Sequence, residues 1–492
     1  MANELKLLAF DLGAESGRAV MGLLDGEDLR LAEVHRFANA GVKVGNSLHW
    51  DVLRLFDEIK QGLKLALQAH GREIDAIGVD AWGVDFALLG PNDVLLENPH
   101  CYRDSRIDGM MEEAEKIVPR TEIYEQTGIQ FMPVNTLYQM LAISRSDRWM
   151  LDTARTMLMM PDLLNFWLTG VRVCEFTEAT TTQFYNPSAE DWARPLLDRM
   201  GIPHHFLPEI VPPGTVLDKL LPSVAEDTGA PQIPLIAPAT HDTGSAVAAV
   251  PATGQCHAYI SSGTWSLMGV ESKEPIINEK ARQLNFTNEG GAEKTFRVLR
   301  NIMGLWLVQE CRRTWAQAGS EYSYPELTNI ASAAEPFRSL IDPDDVSFLH
   351  PGDMPARIRD FCKRTKQPIP EGPGSVVRTA LDSLALKYRW VLERLEMLMD
   401  RRLEPIHVVG GGTRNRLLCQ LTANATGRPV VAGPVEATAI GNIIVQALGL
   451  GHIGSLEDGR EIVRRSFDVV TYEPEPDSRV EDAYERFNAL LD

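Results

Sequence analysis

Cysteine is scarce in this chain, with six residues in 492. Cys101, Cys174, Cys256, Cys311, Cys362 and Cys419 stand far apart with no Cys-x-x-Cys pair. That argues against a disulfide framework and a thiolate zinc site, and it predicts reduced thiols in a cytoplasmic protein. Positive charge is also short: 48 Lys and Arg face 68 Asp and Glu, a net charge of -20. Such a surface repels nucleic acid and anionic membranes, so neither is an expected partner. No apolar run is long enough to span a bilayer. The opening "MANELKLLAF" runs straight into a strand pattern and lacks a basic leader, so no signal peptide is expected. The Gly-x-x-x-x-Gly-Lys-Ser/Thr motif is missing, which excludes a P-loop nucleotide site.

What is present is ordinary in bulk, 44% hydrophobic and 24% charged, at a length that suits two or three domains. "KLLAFDLG", "RAVMGLL" and "LRLAEVHRF" read as a three-strand meander, with Asp25-Gly26 as a hairpin turn. Val52, Leu55, Phe56, Ile59, Leu63 and Leu67 recur at helical spacing, and "IDAIGVDAWG" and "DFALLG" follow as strands. This order predicts an α/β layer with a mixed sheet. A second start follows residue 250: "HAYISSGTWSLMGVE" is strand, polar turn, strand, and "IHVVGGGTRNRLLCQL" is strand, glycine turn, helix. Two α/β halves are expected, meeting near 245–255, with a surface loop at 367–375 ahead of a long helix at 376–399.

The chemistry-bearing stretches sit on turns. In "DLGAESGR" small residues leave backbone N–H groups for phosphate oxygens, and Arg18 adds a fixed positive charge. Asp11 would repel a phosphate unless a hard cation such as Mg²⁺ lay between them. A plain hairpin explains this segment about as well. "SSGTWSLMG" offers the second half a similar turn through Ser261, Ser262, Gly263 and Thr264. The three glycines of "VVGGGTRNRLL" permit close backbone approach, or simply a tight turn. In "APATHDTGSAVAAV" an aspartate at a helix start is commonly an N-cap, yet in a cleft Asp242 could accept a proton from an attacking hydroxyl. Trp82 beside Gly83 suits a sugar face, whereas Arg103, Asp104 and Arg106 read as hydroxyl ligands or as surface ion pairs.

In order along the chain, "VDAWGVDF", "YRDSR", "TGIQFMPVNTLYQ", "MPDLLNFWLTG", "EATTTQ", "HDTGSAV", "SSGTWSLMG", "TNEGGAE", "NIMGLWL", "VGGGTRN" and "AGPVEATAIGN" resemble the FGGY carbohydrate kinases from Leu7 to about residue 475. The resemblance implies an α/β, two-domain actin-like (ribonuclease-H-like) ATPase fold with an interdomain active-site cleft. Residues 1–248 would carry the sugar site and first phosphate loop, and 249–492 the second phosphate loop and adenosine site. It implies transfer of the ATP γ-phosphate to O1 of L-rhamnulose, in L-rhamnose catabolism, as in the branch of the family that acts on that ketose. By that likeness Ala14, Glu15, Ser16, Gly17, Arg18, Thr264, Gln309 and Gly411 contact ATP. Gly83, His241, Asp242, Thr243 and Asn301 contact the sugar, with Asp242 as general base, and Asp11 faces Mg²⁺ through water. Glu15 stands where a small uncharged residue is usual, but backbone donors need no particular side chain. Some relatives carry late cysteine pairs; Cys362 and Cys419 lack matching partners here, so no disulfide is expected. A kinase for another ketose or polyol, a non-catalytic actin-like ATP-binding module and a carbohydrate-binding protein without ATP chemistry are the alternatives. A monomer is plausible.

Overall fold

The computed structural model describes residues 4–491, so the outermost ends of the two expected domains, 1–3 and 492, lie outside the described residues. The chain divides into two compact units that are not contiguous in sequence. The first comprises Met1–Pro251, Glu271–Val298 and Glu436–Phe467; the second comprises Ala252–Val270, Leu299–Val435 and Asp468–Asp492.

In the first unit the meander forms as its alternation predicts. Strands Leu5–Leu12, Ser16–Asp25 and Asp28–Ala38 pair antiparallel in succession. The hairpin turn falls in "DGED" as expected: Asp25 and Asp28 are paired, with Gly26, left-handed at φ 63°, and Glu27 between them. Strand Ala76–Ala81 runs parallel to Leu5–Leu12 and, on its other side, to Pro234–Ala237; Thr215–Lys219 closes that edge antiparallel. The inner strands are buried on both faces, which is why they read as continuous apolar runs. Helix Val52–His70 covers the sheet through Val52, Leu55, Ile59, Leu63 and Ala66, with the Asp51 side chain accepting from the Arg54 N–H as its cap. Phe86–Leu89 leaves this sheet and pairs with Thr156–Met159 instead.

Helix Ala437–Gly449 is part of the first unit. It lies so close to helix Asp242–Ala248 that a Cβ on Gly441 would stand 1.8 Å from the Ser245 carbonyl oxygen.

The second unit repeats the plan. Ala258–Ser262 and Ser266–Ser272 form a hairpin, with Phe296–Ile302 beyond it. On the other side Ile406–Val409 and Val430–Ala432 run parallel to Ala258–Ser262, and Val470–Tyr472 closes the edge antiparallel. Helix Gly372–Met399 begins four residues earlier than expected, because Pro373 falls in its first turn, where a missing N–H costs nothing. The surface loop therefore ends at Glu371. Among the described residues no helix is long and apolar enough to cross a membrane.

Candidate active site

In an open α/β sheet the loops at the carboxyl ends of parallel strands are free of ladder hydrogen bonds and collect functional groups. Three parallel strands of the first unit end together here. Leu5–Leu12 leads to the 13–15 loop, Ala76–Ala81 to Trp82 and Gly83, and Pro234–Ala237 to His241 and Asp242. A β-bridge between Ala81 and His241, with the Ala81 N–H donating to Thr240 O at 2.9 Å, locks the last two loops side by side.

Strand register sets a row of charge across the sheet. Asp11 is the partner of Asp80 on one side and of Arg18 on the other, so all three side chains share a face. Arg18 donates to Asp11 Oδ2 from Nε at 2.9 Å and Nη2 at 2.6 Å, and its third arm pairs with Glu436. These two carboxylates outweigh burial and push the guanidinium pKa further up. Asp80 is fully buried; Asn442 donates to its Oδ2 at 2.5 Å, and Oδ1 has no hydrogen-bond partner. Burial and the neighbouring Asp11 hold the Asp80 carboxyl well above the usual carboxylate range.

The 13–15 loop is tied down by Asn39, whose N–H donates to Glu15 O at 2.8 Å and whose Nδ2 donates to Gly13 O at 2.9 Å. The Gly13 N–H closes the turn on Ser16 O at 2.9 Å. Glycine at 17 has a packing cause, since a Cβ there would enter the Phe37 ring at 2.2 Å. Ala14, Glu15 and Ser16 form the outer part of the hairpin, and Glu15 is exposed.

Asp242 opens helix Asp242–Ala248, but the N-cap position belongs to His241, so the carboxylate is not spent on capping. Thr243 donates from Oγ1 to Asp242 Oδ1 at 3.1 Å. Burial and Asp11 raise the Asp242 pKa to about 7 against that bond. His241 is held on three sides. Its N–H donates to Thr177 Oγ1 at 3.0 Å, Arg297 reaches Nδ1 at 3.1 Å, and Nε2 lies 3.5 Å from Asp242 Oδ1. Burial, reinforced by Arg297, drives the imidazole pKa well down, so the ring is neutral. Arg297 is fully buried, bonds Gly290 O at 2.7 Å and lies 3.3 Å from Glu289. Gly83 abuts the imidazole: a Cβ there would meet Thr181 Cγ2 at 2.9 Å and His241 Nε2 at 3.3 Å. Gly83, His241, Asp242 and Thr243 are therefore one cluster.

Trp82 is not a sugar wall. It is buried, packs at a tilt against Trp50 with ring centroids 4.3 Å apart, and donates to Asp85 Oδ2 at 3.0 Å. Nor are Arg103 and Asp104 surface ion pairs: both are buried, and Asp104 accepts from the Leu48 and Arg106 backbone N–H groups. Sequence reasoning missed Asp80, Asn39, Arg297 and Glu436. The Asp80 carboxylate, in the apolar run "IGVDAWG", was the one signal that could have been found, since a charge inside a buried strand needs a reason.

In the second unit the hairpin tip is fixed to the start of helix Trp306–Gln317. Leu305 and Trp306 donate their N–H groups to Gly263 O at 3.1 Å and Thr264 O at 3.0 Å. Gln309 lies one turn into that helix, with its Oε1 buried and unpartnered. Gly410 and Gly412 press on Ser262, where a Cβ on Gly412 would meet Ser262 Oγ at 2.0 Å, while Gly411 faces open space. Thr264, Gln309 and Gly411 are thus brought to one end of this unit's sheet. Asn301 lies on strand Phe296–Ile302, in the same unit.

Residues 6–249 match the N-terminal domain, and residues 258–450 the C-terminal domain, of the FGGY family of carbohydrate kinases. The rhamnulokinase of Bacteroides thetaiotaomicron is 46% identical over 97% of this chain and 98% of its own length. That of Oceanobacillus iheyensis is 43% identical over 94% and 97%. Among solved structures, gluconate kinase from Lactobacillus acidophilus superposes with a TM-score of 0.81 at 17% identity, covering 99% of this chain and 97% of that one. Xylulose kinase from the same organism gives 0.80 at 18% identity, with the same coverage. Such identities speak for the fold alone, the two-domain actin-like fold of sugar kinases. Together with the family matches across both halves, they place the chain: it belongs to the FGGY family of carbohydrate kinases.

Proposed function

We propose that this carbohydrate kinase transfers the γ-phosphate of ATP to O1 of L-rhamnulose, with Asp242 as general base. The observation that carries the chemistry is the Asp242 carboxyl, not used as a cap, oriented by Thr243, and raised to about 7. A base poised near neutral pH can take a proton as the hydroxyl attacks phosphorus. Neutral His241 presents Nε2 beside it as a hydrogen-bond donor for a sugar oxygen, and Gly83 leaves room for that oxygen. The rhamnulokinase relatives at 40–46% identity support the ketose.

For ATP we assign the backbone of Ala14, Glu15, Ser16 and Gly17 to the phosphates. Arg18 is committed to Asp11 and Glu436, so its part is to hold the acidic row in place. Thr264, Gln309 and Gly411 are assigned to the nucleotide, and Asn301 to the sugar. A boundary at 248/249 fits the gap between the two family matches, at 249 and 258, although residues 271–298 and 436–467 fold with the first unit. The site suits Mg²⁺, because an all-oxygen set with an orphaned buried oxygen on Asp80 is what a hard cation takes. Asp11 and Asp80 would hold it, directly or through water, and it would neutralise phosphate charge there. A cytoplasmic location fits these substrates.

Coupled ADP production over a panel of ketoses, aldoses and polyols tests the reading. L-rhamnulose should give the highest kcat/KM; a higher value for xylulose or glycerol would remove the substrate assignment and leave the family intact. No ketose-stimulated ADP release at all would favour a non-catalytic ATP-binding module.

A further inference from the structure

Among the described residues, one group of metal-ligating side chains lies outside the kinase machinery: His49, Glu97 and His100, each offering a ligand atom within 4.8 Å of the other two. The backbone builds it. His49 and His100 face each other across a β-bridge, flanked by Trp50 N–H to Pro99 O and Cys101 N–H to Leu48 O, both 2.8 Å. The imidazole centroids are consequently 4.1 Å apart. His49 Nδ1 lies 2.9 Å from the Asn98 carbonyl. A carbonyl only accepts, so Nδ1 carries the proton and Nε2 the lone pair, the arrangement found behind metal-binding histidines. His100 Nε2 stands 3.4 Å from Glu97 Oε2. Bonds of about 2.0–2.1 Å in a tetrahedron put neighbouring ligand atoms about 3.3 Å apart. His100 Nδ1 is buried without a hydrogen-bond partner, and the Glu97 carboxylate is the group that faces its Nε2.

We propose that His49, Glu97 and His100 form a binding site for a late first-row divalent cation of the zinc class. Two imidazoles and one carboxylate suit such ions and suit Mg²⁺ poorly. The fourth position is left to water. The site is independent of the kinase assignment. It sits beside Trp50 and Tyr102, both of which donate to Asp85, so a bound ion clamps the 47–50 and 97–102 segments together.

The test is titration of metal-stripped protein with Zn²⁺ and Co²⁺, without nucleotide or sugar. Cys256→Ser is the background throughout, since Cys256 is the exposed thiol. One equivalent should bind, Co²⁺ should show the intense visible bands of a four- or five-coordinate centre, and Zn²⁺ should raise Tm. Glu97→Gln should weaken binding at least tenfold, and His49→Gln and His100→Gln should abolish it together with the Tm shift. Glu97 is exposed, so its variant reads out the site even where a histidine variant folds poorly. No metal bound at micromolar concentrations, or Zn²⁺ binding unchanged in Glu97→Gln and His100→Gln, would overturn the proposal.

Discussion

Arg297 fixes the tautomer of His241. A guanidinium can only donate, so at 3.1 Å from Nδ1 it makes that nitrogen the acceptor and places the imidazole proton on Nε2, the nitrogen facing Asp242. The histidine is thereby a donor toward the base and the sugar, and it stays neutral because burial, reinforced by the neighbouring Arg297, disfavours a charge on the ring. Arg297→Met removes both constraints. With burial still in place the His241 pKa should rise only part of the way back, read by NMR as a histidine titration at higher pH than in the parent. It also breaks the buried Arg297–Glu289 pair, at a cost of about 3–5 kcal/mol, read by urea unfolding. An unaltered His241 titration in a folded variant would show that burial alone keeps the ring neutral.

Asp242→Asn separates catalysis from binding. The amide is nearly isosteric and still bonds a sugar hydroxyl, so equilibrium binding of both ligands should change little. General-base help is worth roughly 10²–10⁴ in rate, so single-turnover transfer should fall at least about 100-fold. The parent's rate should climb with pH through about 7, where Asp242 loses its proton, and the variant should lack that limb. Near-normal transfer would move the base to another residue.

The same group makes a stability prediction of definite sign. Its folded pKa of about 7 lies above the unfolded value of about 3.9, so folding favours the protonated form. Its stabilising effect is complete below pH 4 and is lost as pH rises through 7. Asn cannot ionise. The variant should therefore gain stability over the parent on going from pH 5 to pH 8, and paired thermal melts at those two values would show a constant difference if the carboxyl were unperturbed.

The sequence was informative where local pattern and structure coincide. The meander, the helix at Val52–His70 and the paired hairpins follow from periodicity and turn residues, because each is stabilised by neighbours close in sequence. Gly83, His241, Asp242 and Thr243 were grouped by the resemblance to the FGGY kinases, and the structure brings their two segments, a loop and a helix start, together. What stayed hidden is long-range. Arg18 and Glu436 are 418 residues apart, and Asp80 and Asn442 are 362 apart. Nothing in a window of sequence reports such pairs. Trp82 was misjudged because an aromatic beside glycine looks alike whether it walls a pocket or packs against Trp50.

Two glycines distinguish site from scaffold. Gly83→Ala places a methyl 2.9 Å from Thr181 Cγ2 and against His241 Nε2. Small side-chain shifts can absorb it, so stability should fall by about 1 kcal/mol while sugar KM rises and nucleotide affinity holds. Gly441→Ala instead drives a methyl to 1.8 Å from a backbone oxygen of the neighbouring helix, which has no rotamer to escape into. The two helices must separate, at a cost of about 3 kcal/mol or more, and soluble yield should drop. Equal losses of stability in the two variants would mean that Gly83 is merely structural.

Asp11→Asn and Arg18→Met should fail in different ways, although the two side chains are bonded. Asn at 11 can keep both hydrogen bonds from Arg18, which land on a single oxygen, and it removes a negative charge that acts on Asp80 and Asp242. With Asp11 as a cation partner, the variant's defect lies in metal–nucleotide handling, and raising Mg²⁺ should restore part of the rate. Removing that charge also lowers the Asp242 pKa, since Asp11 is the charge that raises it; the rate limb near pH 7 should shift to lower pH. Arg18→Met does the opposite. It removes the guanidinium that pairs with both Asp11 and Glu436, so their repulsion of each other and of any phosphate grows; ATP KM should rise and extra Mg²⁺ should help by screening only. The measurement is kcat and KM for ATP against Mg²⁺ at pH 6 and pH 8. If Asp11→Asn showed neither Mg²⁺ rescue nor a displaced pH limb, Asp11 would be only the anchor of Arg18.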